Sequence, residues 1–263
     1  MELSVNGRKA YAYTGGKTFD AALPTVVFCH GAQSDHSVWI LQSRYLAHHG
    51  YGVLAIDLPG HGRSAGPALA SVEHMADWIA GVLEAAGAKQ GAIVGHSMGS
   101  LIALECAARH PGRVAKIALL ASAYPMKVSA ELLDATKNNE PLAQDMVNIW
   151  SHLAYAQYPN NPGPGFWVIG ENLRLMQRQK PGVMHTDFAA CNAYAGGAEA
   201  AAKVACPALF VIARRDAMTP ARSAQAFAQS VKGARTVMIE GSGHNMMGEK
   251  PDQVLDALIA FLK

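Results

Sequence analysis

A serine bracketed by glycines, a histidine in a glycine-rich loop and an aspartate shortly before a proline are the residues of this chain best placed to do chemistry. The serine is Ser97, in Gly95-His96-Ser97-Met98-Gly99. A serine hydroxyl is a weak nucleophile at its free pKa, so it needs a base to take its proton and a turn that projects it towards that base. Gly95 and Gly99 lack the Cβ atoms that would collide across so sharp a turn. Upstream, Ala92 to Val94 has the length and composition of a fully buried strand. Downstream, Leu101, Ile102, Leu104 and the run Glu105 to Arg109 keep helical spacing. Strand, tight turn and helix in that order turn a bare G-x-S-x-G match into a nucleophile elbow. Without those flanks it would be a strand-to-helix loop with an incidental serine.

The partners of such a serine belong in loops at the carboxyl ends of parallel strands. His244 sits in Glu240-Gly241-Ser242-Gly243-His244-Asn245, directly after the last β-rich run, where two glycines let the loop bend back. It is the candidate base. His48, His49, His74 and His110 fall on helices or their ends, and His96, inside the elbow, cannot easily reach round to Ser97. His152 and His185 lie in a helical stretch where one could touch substrate. Asp216, between a strand ending at Ala213 and the helix start Met218-Thr219-Pro220, is the candidate carboxylate that would fix the tautomer of His244. The strand end at Leu119–Tyr124 offers no carboxylate, and Asp252 and Asp256 fall on a later helix. The backbone N–H groups of Met98, at a helix N-terminus, and of Ala32, after His30-Gly31, are the candidate oxyanion donors.

These residues need a frame. Leu3 to Thr14 alternates around Asn6-Gly7, a hairpin signal. Apolar β-rich runs at Pro24–Cys29, Gly52–Ile56, Ala92–Val94, Val114–Ala121, Ala208–Ala213 and Arg235–Ile239 are separated by helical patterns. These include Trp39–Ala47, Val72–Ala86 with Ser71 as cap and Gly87 as stop, Pro220–Val231 and Pro251–Phe261. That alternation predicts βαβ units and a mainly parallel sheet. Between Ser122 and Val204 the rhythm breaks into helical segments alone, roughly Ala130–Lys137, Leu142–Ala156, Phe166–Gln179 and Val183–Tyr194, with a turn-rich stretch at Tyr158–Gly165. The expected organisation is a core of residues 1–121 and 205–263 with an all-helical lid at 122–204.

The chain has 263 residues, 50% hydrophobic and 16% charged, with a net charge of +2. A near-neutral chain without a basic stripe argues against nucleic acid as a partner. No run approaches the about 18 apolar residues of a membrane span, and Met1–Asn6 carries no leader pattern. Cys29, Cys106, Cys191 and Cys206 lack metal-type spacing and read as reduced thiols, which places the protein in the cytoplasm. Oligomeric state, monomer or homodimer, is left open.

Taken together, His30-Gly31, Asp57-Leu58-Pro59-Gly60-His61-Gly62-Arg63-Ser64, the Ser97 elbow, Asp216 and His244 resemble the α/β-hydrolase fold superfamily over essentially the full chain, in its Ser, Asp, His order. The resemblance implies an eight-stranded, mostly parallel sheet flanked by helices, a helical cap after strand six, and structural roles for His61 and Arg63. Serine rather than aspartate at position 97 speaks against the dehalogenase and epoxide-hydrolase branches. It implies a carboxylesterase-like serine hydrolase of small to medium, mainly apolar esters or lactones, without metal or organic cofactor. Carbon–carbon hydrolysis, acyl transfer, cofactor-free perhydrolysis and a non-catalytic ligand-binding protein remain alternatives on the same scaffold. Gln33, Trp150, Trp167 and Met246 are candidates for a small-molecule substrate pocket, with Tyr155, Phe166, Leu173, Met176 and Met247 near them. Arg174, Arg178 and Lys180 could meet an acidic substrate, although cations are favoured at a helix end in any case.

Overall fold

The structure, a computed structural model, describes residues 1–157 and 167–263. Its strands are β1 (Glu2–Val5), β2 (Arg8–Tyr13), β3 (Thr25–Cys29), β4 (Gly52–Asp57), β5 (Gly91–His96), β6 (Val114–Leu120), β7 (Ala208–Ala213) and β8 (Arg235–Ile239). They form one eight-stranded sheet in the order β1-β2-β4-β3-β5-β6-β7-β8. The hairpin β1–β2 turns at Asn6 and Gly7, both at positive φ (52° and 73°), which suits the right-handed twist of a two-residue connection. β2 meets β4 antiparallel, and every pairing from β4 to β8 is parallel. β3, β4, β5 and β7 are buried along their whole length, as continuous apolar runs covered on both faces must be.

The helices in chain order are α1 (Ile40–Ala47), α2 (Val72–Ala85), α3 (Met98–Arg109), α4 (Ala130–Asn138), α5 (Glu140–Ser151), α6 (Val168–Gln177), α7 (Val183–Ala193), α8 (Gly197–Lys203), α9 (Ala221–Ser230), α10 (Met246–Glu249) and α11 (Pro251–Leu262). One face of the sheet packs against α2, α3, α8 and α9, through side chains such as Ile79, Leu101, Ala200 and Phe227. The other face packs against α1 and α11, through Leu46, Val254, Leu258 and Phe261. Between β6 and β7 the described residues are all helical or irregular. There α4 to α7 build a small core of their own, with Leu132, Val147, Met176 and Phe188 at its centre. No helix among the described residues is long and apolar enough to cross a membrane.

Some elements differ from the sequence expectation. The pattern Leu142–Ala156 predicts one helix, but α5 ends at Ser151, with His152 extended (φ −124°, ψ 149°) before a 3-10 turn at Ala154–Gln157. The reason is external: the Ser151 carbonyl accepts from the Asn245 amide and the Leu153 amide donates to Glu249, which takes both groups out of any continuing helix. α8 and the short α10 were not expected, because an alanine- and glycine-rich heptad and a four-residue turn carry little periodicity. The expected turn Tyr158–Gly165 and the residue Phe166 lie outside the described residues.

Candidate active site

Ser97 stands between β5 and α3 with φ 52° and ψ −119°, a conformation that L-residues avoid and that persists only where the surroundings enforce it. The enforcement is local. A Cβ at Gly95 would collide with the Gly99 carbonyl, and one at Gly99 with the carbonyls of Cys29 and His30, so β5, α3 and the loop after β3 close together only with glycine at both positions. The Ser97 amide donates to the Leu120 carbonyl (2.9 Å), and Ser100 Oγ donates to the Ser97 carbonyl (2.5 Å). Met98 opens α3, so its N–H is one of the four without a helical acceptor. Ala32 lines the same cavity as Ser97, in a loop braced by His30, whose Nδ1–H donates to the Gly31 carbonyl (2.8 Å) while Nε2 accepts from the Leu58 amide (3.1 Å). Burial, reinforced by the His61 ring, lowers the His30 pKa to about 4, so it braces as a neutral imidazole.

His244 and Asp216 meet as expected: Nδ1 lies 2.8 Å from Asp216 Oδ2, with both residues buried. Asp216 is saturated with donors. Its Oδ1 accepts from the amides of Met218 and Thr219 (2.8 Å each), and its Oδ2 also accepts from Thr219 Oγ1 (2.6 Å). Burial opposes its ionisation, but the imidazole of His244 and the bonds from His244 and Thr219 outweigh that and hold the carboxyl below its ordinary pKa. His96, set aside as unable to serve Ser97, proves to hold the base instead: its Nε2–H donates to the His244 carbonyl (2.9 Å) across 148 residues. Burial first, and the neighbouring His244 next, lower the His96 pKa to about 3.

Glu249 was missed by sequence reasoning. Fully buried on α10, its Oε2 accepts from the Gly243 amide (2.7 Å) and Ser242 Oγ (3.3 Å), and its Oε1 accepts from the Leu153 amide (2.8 Å). It therefore clamps the His244 loop to the end of α5. Beside it, His152 donates through Nδ1 to the Asn148 carbonyl (2.8 Å) and accepts at Nε2 from Asn245 Nδ2 (2.8 Å), so it is a linker rather than a substrate contact. Tyr155, expected near the pocket, donates its hydroxyl to the Gly241 carbonyl (2.5 Å).

Ser97, His244 and Ala32 line a cavity of about 400 Å³ whose walls are mainly Met126, Val128, Leu132, Trp150, Phe188 and Met218. Of the pocket candidates, Trp150 is there. Gln33 lines an adjoining cavity of about 50 Å³, which shares Ser97 and His244 and also receives Met176 and Met247. Two candidates are corrected. Met246 is fully buried in the core beneath α11, because the turn of α10 points it away from the site. Trp167 is 64% exposed and lies over Gly170, where any Cβ would strike its ring.

Arg178, half exposed, pairs with protein: its guanidinium lies 2.6 Å from Asp35 Oδ2. His185 sits 3.0 Å from Thr136 Oγ1. His61 is buried with Nε2 2.8 Å from Asp187 Oδ2, which also accepts from the Gln33 amide (2.8 Å), while Arg63 reaches the Tyr11 hydroxyl (3.1 Å). Asp35, His36 and Asp57 bring ligand-type atoms within 4.8 Å of one another. Their oxygens already accept from Ser37, His36, Arg63 and Arg178, so the cluster reads as a structural network rather than a cation site.

Comparison with known proteins identifies the family. The profile of the Alpha/beta hydrolase family matches residues 26–257. The pimeloyl-[acyl-carrier protein] methyl ester esterase of Neisseria meningitidis is 30% identical over 201 residues, covering 73% of this chain and 75% of that protein. The dihydrolipoyllysine-residue acetyltransferase component of the acetoin cleaving system of Cupriavidus necator is 38% identical over 115 residues; the match covers 43% of this chain and only 29% of that longer protein. The crystal structure of the enol-lactonase from Burkholderia xenovorans superposes with a TM-score of 0.87 at 22% identity, covering 100% of this chain and 99% of that one.

Proposed function

The chain belongs to the Alpha/beta hydrolase family, and from that premise we propose that this hydrolase cleaves carboxylic esters or lactones of small to medium, mainly apolar substrates through an acyl-enzyme on Ser97. The observation that carries the reading is the 2.8 Å bond from His244 to Asp216 at the rim of the cavity that Ser97 also lines. In this reading Ser97 Oγ attacks the carbonyl carbon as His244 Nε2 takes the hydroxyl proton. Asp216 keeps the Nδ1–H tautomer and steadies the imidazolium. The amides of Ala32 and Met98 receive the negative charge that grows on the carbonyl oxygen, each worth about 3 kcal/mol in such sites. His244 then gives its proton to the leaving oxygen, and a water activated by the same imidazole releases the acid. No step calls for a metal or an organic cofactor.

The apolar walls of the larger cavity support an apolar acyl or alcohol group as the larger part of the substrate. The separate small core of α4 to α7 supports residues 122–204 as a lid on a core of 1–121 and 205–263. Four unpaired cysteines are consistent with a reducing, cytoplasmic setting. The test is labelling with a fluorophosphonate probe followed by peptide mapping, together with nitrophenyl-ester turnover by the protein and by Ser97→Ala. The reading expects the label on Ser97 and loss of turnover in the variant. Label at another residue, or equal turnover in both proteins, refutes it.

A further inference from the structure

Four donors converge on Asp216, and three of them account for its placement and its work. Its Oδ1 accepts from the amides of Met218 and Thr219 (2.8 Å each), and those two bonds fix where the carboxylate stands and how it is turned. Its Oδ2 meets His244 Nδ1 at 2.8 Å, the bond that orients the base. The fourth donor is the hydroxyl of Thr219, and it goes to that same Oδ2 at 2.6 Å, closer than the imidazole. The Asp216 side chain is 1% exposed, so no bulk water stands ready to replace a donor taken away.

The hydroxyl acts on the imidazole through that oxygen. Thr219 Oγ1 lies 3.4 Å from His244 Nδ1, beyond the range of a good hydrogen bond. A donor bound to a carboxylate favours its ionised form and draws charge out of it. An Oδ2 shared between two donors therefore stabilises the imidazolium less than an Oδ2 given to His244 alone. The difference matters for catalysis, because a general base works only while it is unprotonated at the operating pH. A buried aspartate with nothing to temper it would keep the proton on the histidine.

We propose that Thr219 is a positioning residue of the hydrolytic site: its hydroxyl shares Asp216 Oδ2 with the imidazole and so limits how tightly His244 holds a proton. The assignment rests on the reading of Ser97, His244 and Asp216 as the working groups. The other titratable groups around His244 are His96 at the end of β5, His152 after α5, Glu249 on α10 and Arg215 in the Asp216 loop. Burial lowers the pKa of both histidines, that of His96 to about 3, and so keeps them neutral neighbours. Glu249 holds the amides of Gly243 and Leu153, and Arg215 meets the base loop through its backbone amide on the Ser242 carbonyl. None of the four is hydrogen-bonded to Thr219, so they stay in place when its hydroxyl is removed.

The test is the pH profile of kcat/KM for a nitrophenyl ester, measured on the unmodified protein, Thr219→Val and Thr219→Ser. Valine keeps the branched shape and the backbone amide and removes the donor; serine keeps the donor. The expected result is an acidic limb moved to higher pH by about half a unit or more in Thr219→Val, and returned to its original position in Thr219→Ser. The position of the limb is the readout, not the height of the plateau, because a loosened site lowers the plateau without moving the limb in that direction. Coincident limbs, or a limb moved to lower pH, overturn the proposal. Thr219→Ala repeats the measurement if the valine variant does not fold; failure of both to fold makes the hydroxyl a structural post and overturns the proposal as well. Fluorophosphonate labelling of the unmodified protein separates the two readings. Label on Ser97 with coincident limbs removes the role of Thr219 alone, whereas absence of both label and turnover removes the hydrolase reading and this proposal with it.

Discussion

The cavity has two walls, and they are held in different ways. On the sheet side, Ser97, Asp216 and His244 are fixed by short bonds: the Leu120 carbonyl at the end of β6 for the Ser97 amide, the amides of Met218 and Thr219 in its own loop for Asp216, and the His96 side chain for the His244 carbonyl. On the helical side, α4 to α7 share a small apolar core and reach the sheet along two seams. One seam is charged, with Asp187 on His61 and Arg178 on Asp35. The other joins the end of α5 to the His244 loop through Glu249, His152 and the Ser151 carbonyl. The contrast implies a division of labour. Changes on the sheet side should alter the rate of the chemical step, and changes on the helical side should alter stability and substrate choice.

Asp216→Asn tests the sheet side most severely. An asparagine can keep the bonds from Thr219 but leaves the wrong tautomer of His244, so kcat should fall by about 10⁴ while the melting temperature moves little. A comparable loss of stability would instead make Asp216 a structural post. Asp187→Ala tests the charged seam. It strips the buried His61 of its partner and should lower unfolding stability by about 3 kcal/mol in urea titration, as broken buried pairs do. Retained stability would show that the seam holds nothing.

Glu249→Gln falls between the walls. Removing the charge weakens its hold on the Gly243 and Leu153 amides, and kcat should drop by roughly 10- to 100-fold with little change in KM, since the imidazole is displaced rather than lost. A rise in KM alone would move Glu249 to the helical side of the comparison. Trp150→Ala should reduce kcat/KM for long-chain esters by about tenfold and for acetate esters by less, in line with a lost apolar contact. Equal losses across chain lengths would deny Trp150 a role in choosing the substrate.

The smallest effect is a pH dependence. Burial lowers the His61 pKa, but the Asp187 charge and hydrogen bond outweigh it and leave it raised. The pair therefore contributes its full stability below the unfolded value, about 6.5, and loses it as pH rises through the raised folded value. The difference between the urea midpoints of the protein and of His61→Gln should thus shrink as pH climbs through the raised folded value. A constant difference would mean that the seam is held without a proton.

Much of the sheet side was readable from the chain because its chemistry is local in sequence. The glycines around Ser97, the loop after β8 and the turn before Pro220 each declare a conformation within a few residues. The hairpin, the limits of β7 and β8 and the cap of α2 at Ser71 followed the same way. What escaped was long-range. Glu249 looks like an ordinary residue before a helix until Leu153, 96 residues away, is laid against it, and Asp187 finds His61 across 126 residues. Met246 seemed a pocket residue by its closeness to His244, but one turn of α10 sends it into the core. No periodicity in four residues announces that turn.

The bond from His96 to the carbonyl of residue 244 has a temporal meaning. Strands β5, β6, β7 and β8 pair in parallel in that order, so the loops that bear the serine, the aspartate and the histidine come together only after long stretches of chain have closed. Contacts so distant in sequence form late when a denatured chain recovers. Ellipticity from the helices should therefore return ahead of esterase activity after dilution from denaturant, which makes catalysis the final reporter of a finished molecule.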